Sequence, residues 1–104
     1  MTPVIVLTTV APSFDAASLA KHLVDERLAA CVKIVPQIRS IYRWKGNVED
    51  DGEQLLIIKT MADRVDALRD ALFARHPYEV PEFVALTIDR IEGPYRDWLA
   101  ASVR

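Results

Sequence analysis

Residues 32–44 read VKIVPQIRSIYRW, and their pattern is the strongest indication of architecture in the chain. The even positions from Val32 to Trp44 hold mainly apolar or aromatic side chains, whereas the basic side chains stand at odd positions. Alternation with a period of two over this length predicts an unusually long β-strand. Pro36 cannot donate a ladder hydrogen bond, so we expect the strand to lie at a sheet edge or to bulge there.

The chain turns back after this strand. Turn-forming residues occur from Gly46 to Gly52, and residues 54–60 (QLLIIKT) form a second apolar run. We therefore expect a long β-hairpin whose turn lies within residues 46–52. Residues 32–44 would extend roughly 40 Å at about 3.3 Å per residue, whereas a domain of about 100 residues has a radius of gyration of about 13 Å. The hairpin is therefore expected to extend beyond its own domain as an arm.

Three other segments have the apolar spacing of helices. We expect Ser13 to cap the first and Asp63 to cap the second, while Gly93-Pro94 opens the third because proline suits a first helical turn. The side chains that mark these helices are Leu19, Ala20, Leu23, Val24 and Leu28 in the first, Val65, Leu68 and Leu72 with Ala67, Ala71 and Ala74 around them in the second, and Tyr95, Trp98 and Leu99 in the third.

Residues 4–9 (VIVLTT) and 83–88 (FVALTI) indicate two more strands. The first of these and residues 54–60 are apolar on both faces, which places both strands in the middle of a sheet. The element order is then β-α-β-β-α-β-α. It predicts an α+β, ferredoxin-like βαββαβ fold with an extra C-terminal helix, in a single domain over residues 1–104.

Two features predict self-association. An extended arm leaves Ile41, Tyr42 and Trp44 in water, and exposed apolar patches of this kind usually mark contacts with a partner. The strand over residues 83–88 is an apolar edge strand, which invites pairing with another chain. We expect a homo-oligomer in which each arm adds to the sheet of a neighbour. The alternative is a strand that breaks at Pro36 and folds back onto its own core.

Composition excludes several classes of protein. The 104 residues are 51% hydrophobic with only 3 glycines, which argues against disorder and low complexity. A formal charge of −2 provides no basic field for nucleic acid. No apolar run approaches the roughly 18 residues that span a bilayer. The single cysteine, Cys31, makes no internal disulfide, and with no leader pattern at the start we expect a cytoplasmic protein without a membrane partner.

The segment His76-Pro77-Tyr78-Glu79-Val80-Pro81-Glu82 is the best candidate for a functional loop. Its two prolines fix the backbone, and it holds a histidine beside acidic and aromatic residues. His76 and Glu79 are the candidate metal ligands, since imidazole suits copper and zinc. If the segment is extended, these two side chains lie roughly 10 Å apart, so Glu82, Cys31 or a neighbouring chain would have to complete the site. The alternative is a histidine bonded to backbone at a helix end.

Aromatic and basic side chains elsewhere indicate a pocket or an interface. We expect Tyr42, Trp44, Lys59, Tyr78 and Trp98 to line an inter-subunit cleft or to pack there. Cys31 follows two alanines at a helix-to-strand junction, where a buried structural cysteine is the expectation. No phosphate-binding glycine loop follows the first strand, and no nucleophile stands beside a base, so we expect no enzymatic activity.

Several motifs together resemble the CutA divalent-cation tolerance proteins. They are Leu28-Ala29-Ala30-Cys31-Val32, Ser40-Ile41-Tyr42-Arg43-Trp44 with Gly46, Leu56-Ile57-Ile58-Lys59-Thr60, residues 76–82 and Tyr95-Arg96-Asp97-Trp98-Leu99. The resemblance implies a ferredoxin-like subunit, an interlocked homotrimer similar to the PII signalling proteins, and a role in tolerance of copper and other divalent metals. It also implies copper donors at a cysteine near the end of the first strand and at a histidine pair before the proline. Here Thr8 stands at the first position and Arg75-His76 at the second.

Two hypotheses of function follow. The first is a non-enzymatic, metal-responsive homotrimer that binds Cu(II) or another divalent cation weakly at subunit boundaries, with His76 and Glu79 as donors and no other cofactor. The second is a PII-like signalling or scaffold module that binds a small anionic metabolite in inter-subunit clefts, through Lys59 or Arg43 beside Tyr78 and Trp98.

Overall fold

Seven main elements follow one another in the computed structural model, which describes residues 2–104. They are β1 (Pro3–Val10), α1 (Ala16–Asp25), β2 (Cys31–Trp44), β3 (Asn47–Met61), α2 (Val65–Phe73), β4 (Val84–Thr87) and α3 (Gly93–Ser102), with a short 3-10 turn at Ala62–Arg64 before α2. The four strands form one antiparallel sheet in the order β2-β3-β1-β4. The α+β, ferredoxin-like prediction is confirmed, including the central position of β1 and β3.

One face of the sheet carries the hydrophobic core. Alternate residues of β1 and β3 point to this face, among them Val6, Leu56 and Ile58, which are fully buried. They pack against Leu19 and Leu23 of α1 and against two leucines of α2. The predicted inner residues Leu68 and Leu72 are those leucines, but Ala67 and Ala74 are exposed and fill no core space.

The opposite face of the sheet, here called the open face, is only partly covered. Its members on the central strands are Ile5 and Leu7 of β1 and Leu55 and Ile57 of β3, all half-buried, and on β4 they are the exposed Val84 and Leu86. α3 covers one end of this face, where Leu99 and Val103 pack with Met61. A row of apolar side chains therefore remains accessible along the rest of it.

The hairpin of β2 and β3 is longer than expected because its turn is tighter. Trp44 pairs with Asn47, so only Lys45 and Gly46 form the turn, with φ of 48° and 83°. Two positive φ values define the type I′ turn, which suits the twist of a hairpin. The expectation of a turn over residues 46–52 was therefore wrong. The acidic residues 49–51 belong to β3 rather than to the turn because they have cross-strand partners on β2. Arg39, for example, donates to both carboxylate oxygens of Asp50, at 2.8 and 2.7 Å.

The arm is confirmed as a protruding element. The molecule measures 44 × 26 × 22 Å and has a radius of gyration of 14.3 Å, against about 13 Å for a compact chain of this length. β2 lies at the sheet edge, and its register shifts between Val35 and Ile38, around Pro36. Proline therefore causes a bulge in an edge strand, as expected, and the strand continues beyond it.

Both predicted helix caps were wrong. Residues 12–14 form a turn, with the Phe14 N–H bonded to the Ala11 carbonyl. Helix α1 therefore starts after Ser13 and is capped by Asp15, whose carboxylate accepts from the Ser18 N–H at 3.1 Å. The helix ends at Asp25, and Val24 is exposed. Asp63 lies inside the 3-10 turn, where its carboxylate pairs with Arg104 at 3.2 Å instead of capping α2.

Candidate functional site

A groove lies between the arm and the proline-rich segment 76–82. It has a volume of about 1020 Å³ and is open to solvent. Its lining residues are Thr9, Ala11, Pro12, Ile38, Ser40, Ile41, Tyr42, Trp44, Asp51, Gly52, Glu53, Leu55, Pro77, Tyr78, Glu79, Val80 and Glu82. The predicted pocket residues Tyr42, Trp44 and Tyr78 therefore lie in one groove, on the same protomer.

Two tyrosine–carboxylate pairs order the floor of the groove. The Tyr78 hydroxyl donates to Glu53 Oε2 at 2.7 Å, and the Tyr42 hydroxyl donates to Asp51 Oδ2 at 2.7 Å. The hydrogen bond to Asp51 raises the pKa of Tyr42 to about 12, and burial followed by the bond to Glu53 raises the pKa of Tyr78 further above its ordinary value. Both phenols are thus fixed as neutral donors to charged carboxylates.

His76 anchors the segment 76–82 to the end of β1. Its Nε2 lies 2.9 Å from the Thr9 carbonyl oxygen and 3.2 Å from the Thr8 hydroxyl, while Nδ1 accepts the Tyr78 N–H at 3.2 Å. A neutral ring protonated at Nε2 satisfies all three contacts. Both ring nitrogens are therefore engaged within the protomer, and Tyr78 is positioned over the groove by the same histidine.

The stability of the fold should depend on the protonation of His76. Burial lowers the pKa of His76 below its ordinary value of 6.5, against smaller opposing effects of the Thr9 carbonyl and the Glu53 charge. The unfolded chain then binds more protons between the folded-state pKa and 6.5, so the unfolding free energy rises with pH in this interval and the stabilisation is lost on acidification.

We expect the His76→Gln variant to show a shallower decline of the unfolding free energy than the wild type between neutral pH and pH about 5. The effect should be small, because His76 is only half-buried. Urea unfolding at a series of pH values measures it. Parallel pH profiles for the two proteins would show that this histidine is not coupled to folding.

The two candidate metal ligands have different partners within one protomer. The Glu79 carboxylate lies 3.8 Å from Lys45 Nζ, in an exposed ion pair, while His76 is bonded to backbone and Thr8. Within residues 2–104, no three His, Cys, Asp or Glu side chains come together in a way that could hold a metal ion.

The remaining predicted pocket residues lie at the other end of the sheet. Lys59 Nζ is 3.2 Å from the Tyr95 hydroxyl, and the Tyr95 and Trp98 rings are 5.2 Å apart. Cys31 Sγ is 3.9 Å from the same hydroxyl. Cys31 is half-buried rather than buried, and it stands on the outer strand β2. Lys59 is six residues from Glu53 along β3, or about 20 Å, so the two clusters are separate.

Sequence reasoning did not single out Asp51 and Glu53 as groove residues. Asp51 was assigned to a turn. Glu53 was not considered, and in the structure it is only 8% exposed. Asp51 and Glu53 alternate with Leu55 on one face of β3, which could have placed them in the groove. This alternation can be recognised only when the strand is known to begin at Asn47.

The sheet order, the long hairpin and the C-terminal helix define the class as an α+β, ferredoxin-like protein with a β-arm. Residues 4–102 match the family model of the CutA1 divalent ion tolerance protein. The chain belongs to this family, which confirms the resemblance seen in its motifs. The family description names tolerance of divalent ions.

Individual relatives support the assignment over most of the chain. The divalent-cation tolerance protein CutA of Thermus thermophilus is 50% identical over 95 residues, covering 91% of this chain and 92% of the relative. Protein CutA of Homo sapiens is 48% identical over 84 residues, 81% of this chain and 47% of the relative, so the chain spans about half the length of the human protein. The solved structure of the divalent cation tolerance protein (Cut A1) from Thermus thermophilus has a TM-score of 0.92 at 48% identity, covering 98% of this chain and 99% of that one.

The comparisons do not decide the compartment. A structure described as the periplasmic divalent cation tolerance protein CutA from Archaeoglobus fulgidus is 34% identical, with a TM-score of 0.91 and coverage of 98% and 99% of the two chains. Across residues 2–104, none of the helices is long and apolar enough to cross a membrane. The cytoplasmic location stays a prediction.

Proposed function

We propose that this chain acts as a homotrimer in the response to divalent metal ions, and that metal binds weakly where protomers meet. The observation that carries the proposal is the amount of apolar surface that one protomer leaves exposed. Ile41 and Val48 on the arm are 66% and 64% exposed, and the open face adds Val84 and Leu86 at 44% and 48%. Surfaces of this kind usually mark contacts with a partner.

The edges of the sheet support the same proposal. β2 and β4 are its two outer strands, so each has one side without a strand partner among residues 2–104. Natural proteins seldom leave an edge as long as Cys31–Trp44 unprotected. An arm that adds to the sheet of a neighbour covers its own edge and the apolar residues near it. The family resemblance implies that the assembly contains three copies.

The side chains around His76 favour weak metal binding. A metal ion has to displace either the Tyr78 N–H from Nδ1 or the Thr9 contact from Nε2 before it meets a free lone pair. Thr8 provides a hydroxyl where the family resemblance places a thiolate, and a hydroxyl is a poor ligand for copper. Further donors must come from a second protomer, because residues 2–104 of one protomer do not group three His, Cys, Asp or Glu side chains.

Calorimetric titration with Cu(II) tests this proposal. We expect weak binding to the wild type and a decrease in affinity of about tenfold or more for His76→Ala. Thr8→Cys should bind Cu(II) more tightly, because the Thr8 hydroxyl lies only 3.2 Å from His76 Nε2. His22→Ala, on α1, controls for adventitious imidazole binding. Identical isotherms for the wild type, His76→Ala and Thr8→Cys would remove His76 from the proposal.

Within one protomer the geometry does not bring together the residues of the second hypothesis, a small anionic ligand held in inter-subunit clefts by Lys59 or Arg43 beside Tyr78 and Trp98. Lys59 lies with Tyr95 and Trp98, about 20 Å along β3 from Glu53, the hydrogen-bond partner of Tyr78. Arg43 donates to the Gly46 carbonyl at the tip of the arm. The groove that holds Tyr78 presents carboxylates, which repel an anion.

A further inference from the structure

The groove between the arm and segment 76–82 has a single sign of charge. Its ionised lining residues are Asp51, Glu53, Glu79 and Glu82, and none of the described residues that line it is Lys, Arg or His. Asp51 and Glu53 accept hydrogen bonds from tyrosine hydroxyls, and Glu79 pairs with Lys45 at 3.8 Å. Among residues 2–104, Glu82 forms no ion pair with a basic side chain. Its carboxylate is therefore available to a cation from another chain.

Lys45 shows how an ammonium group meets the rim of this groove. Its Nζ lies 5.5 Å from the centre of the Trp44 ring and 3.8 Å from Glu79 Oε2, and both partners line the groove. Aromatic faces attract cations through their quadrupole, and the attraction is strongest for tryptophan. The groove has a volume of about 1020 Å³, which leaves room for a further ammonium group that is surrounded by apolar surface.

The complementary chemistry lies at the other end of the open face. Lys59, Tyr95 and Trp98, here called the Lys59 cluster, place an ammonium group 3.2 Å from the Tyr95 hydroxyl and 5.1 Å from the centre of the Tyr95 ring. The Tyr95 and Trp98 rings are 5.2 Å apart, and these residues are 39% and 45% exposed. Lys59 forms no ion pair with Asp or Glu among residues 2–104. The cluster is thus a cation within exposed aromatic surface.

A closed ring of three copies needs two different surfaces on each protomer. Rotation by a third of a turn brings one patch of a copy against a different patch of its neighbour, whereas a two-fold contact uses one self-complementary patch. The groove is not self-complementary, because its carboxylates repel those of a second groove. Lys59 pairs with Ile5 on the open face, about 20 Å along β3 from Glu53 in the groove. The groove and the Lys59 cluster are therefore two separate, complementary surfaces of one protomer.

We propose that in the trimer the groove of each protomer receives the Lys59 cluster of the next. The ammonium group of Lys59 lies near Glu82 of the neighbouring protomer, and the rings of Tyr95 and Trp98 lie against the aromatic wall that contains Tyr78. This inference rests on the homotrimer of the proposed function and adds which surfaces join its protomers. It also brings Lys59 and Trp98 of one protomer beside Tyr78 of another, the grouping that the sequence predicted for an inter-subunit cleft.

Charge reversal tests the contact from both sides. Lys59→Glu and Glu82→Lys each place two like charges at every junction of the ring, so each should weaken association by about tenfold or more. The double variant Lys59→Glu/Glu82→Lys again has opposite charges at every junction and should recover most of the lost association. Sedimentation equilibrium over a range of concentrations at low salt measures these effects, and circular dichroism reports whether each variant is folded.

Two further variants serve as controls. Lys21→Glu reverses a charge on the exposed side of α1, which packs on the opposite face of the sheet, and should keep the mass of the wild type. Lys59→Met removes the charge but keeps an unbranched side chain under Tyr95, and should weaken association less than Lys59→Glu. Glu82 is exposed, so Glu82→Lys tests the contact even if a change at Lys59 disturbs α3.

The fluorescence of Trp98 provides a second measurement. The chain has two tryptophans, so a Trp44→Phe background leaves Trp98 as the only one. Trp98 should be shielded from an added quencher in the trimer, because the groove of the next protomer covers it. Adding Lys59→Glu to this background should expose it as the trimer dissociates.

Three outcomes would overturn the inference: a trimer that neither single reversal weakens, a double variant in which the two losses simply add, or a trimer in which Trp98 is freely quenched. In each case the wild type is still a trimer, and another segment of the chain fills the groove. A monomeric wild type would instead contradict the homotrimer of the proposed function, so the two failures are distinguishable.

Discussion

Leu86→Asp is expected to convert the proposed trimer into folded monomers. Leu86 is 48% exposed on the outer strand β4, beside Ile5 on the open face. The proposed trimer would bury this face, and a carboxylate without a partner there would cost several kcal/mol. Since each 1.4 kcal/mol changes an association constant about tenfold, dissociation should be nearly complete at micromolar concentration.

Sedimentation velocity and far-ultraviolet circular dichroism test this expectation together. The variant should sediment as a single chain and keep the circular dichroism spectrum of the folded protein, because Leu86 lies outside the buried core. Val24→Asp is the matched control: Val24 is 40% exposed on α1, which packs on the opposite face of the sheet, so that variant should keep the mass of the wild type. Monomers from both variants, or from neither, would contradict the assignment of the open face as the interface.

Leu56→Ala is expected to lower the unfolding free energy of each subunit by about 2–5 kcal/mol. Leu56 is fully buried in the middle of the sheet, where it packs with residues of α1 and α2. Removing its side chain leaves a cavity that a close-packed core fills only in part. Denaturant unfolding in the monomeric Leu86→Asp background separates this effect from assembly.

Leu55 provides the matched comparison because it directly precedes Leu56 in β3 and its side chain lies on the open face rather than in the core. It is half-buried on the open face and lines the groove. In the monomeric background, Leu55→Ala should cost clearly less unfolding free energy than Leu56→Ala, whereas in the assembled protein it should weaken association. Equal costs in the monomeric background would mean that the open face is already a core face within one protomer.

The sheet could be predicted from the sequence because its signals are local and periodic. Two-sided apolar runs identified β1 and β3 as central strands, and Pro36 marked β2 as an edge strand with a bulge. The arm was also foreseen, since its length follows from rise per residue. Its turn was misplaced because residues 49–51 look like loop residues on their own, and only cross-strand partners such as Arg39 keep them in a strand.

The candidate site was only partly predictable. The segment 76–82 was recognised, but the partners of His76 come from β1, almost 70 residues earlier in the chain, and no local pattern reveals such a pairing. The same applies to Glu53, whose role depends on Tyr78 reaching it across the groove. Lys59 and Tyr78 were grouped as residues of an inter-subunit pocket or interface, and within one protomer they lie in separate clusters.

The mass of the wild-type chain in solution tests the central claim, that exposed arms and open faces hold copies of this protein together. Sedimentation equilibrium at micromolar concentration should give about three times the 11.7 kDa mass of one chain, with Trp44 shielded from an added quencher. A stable species of 11.7 kDa in which Trp44 is freely quenched would contradict the claim.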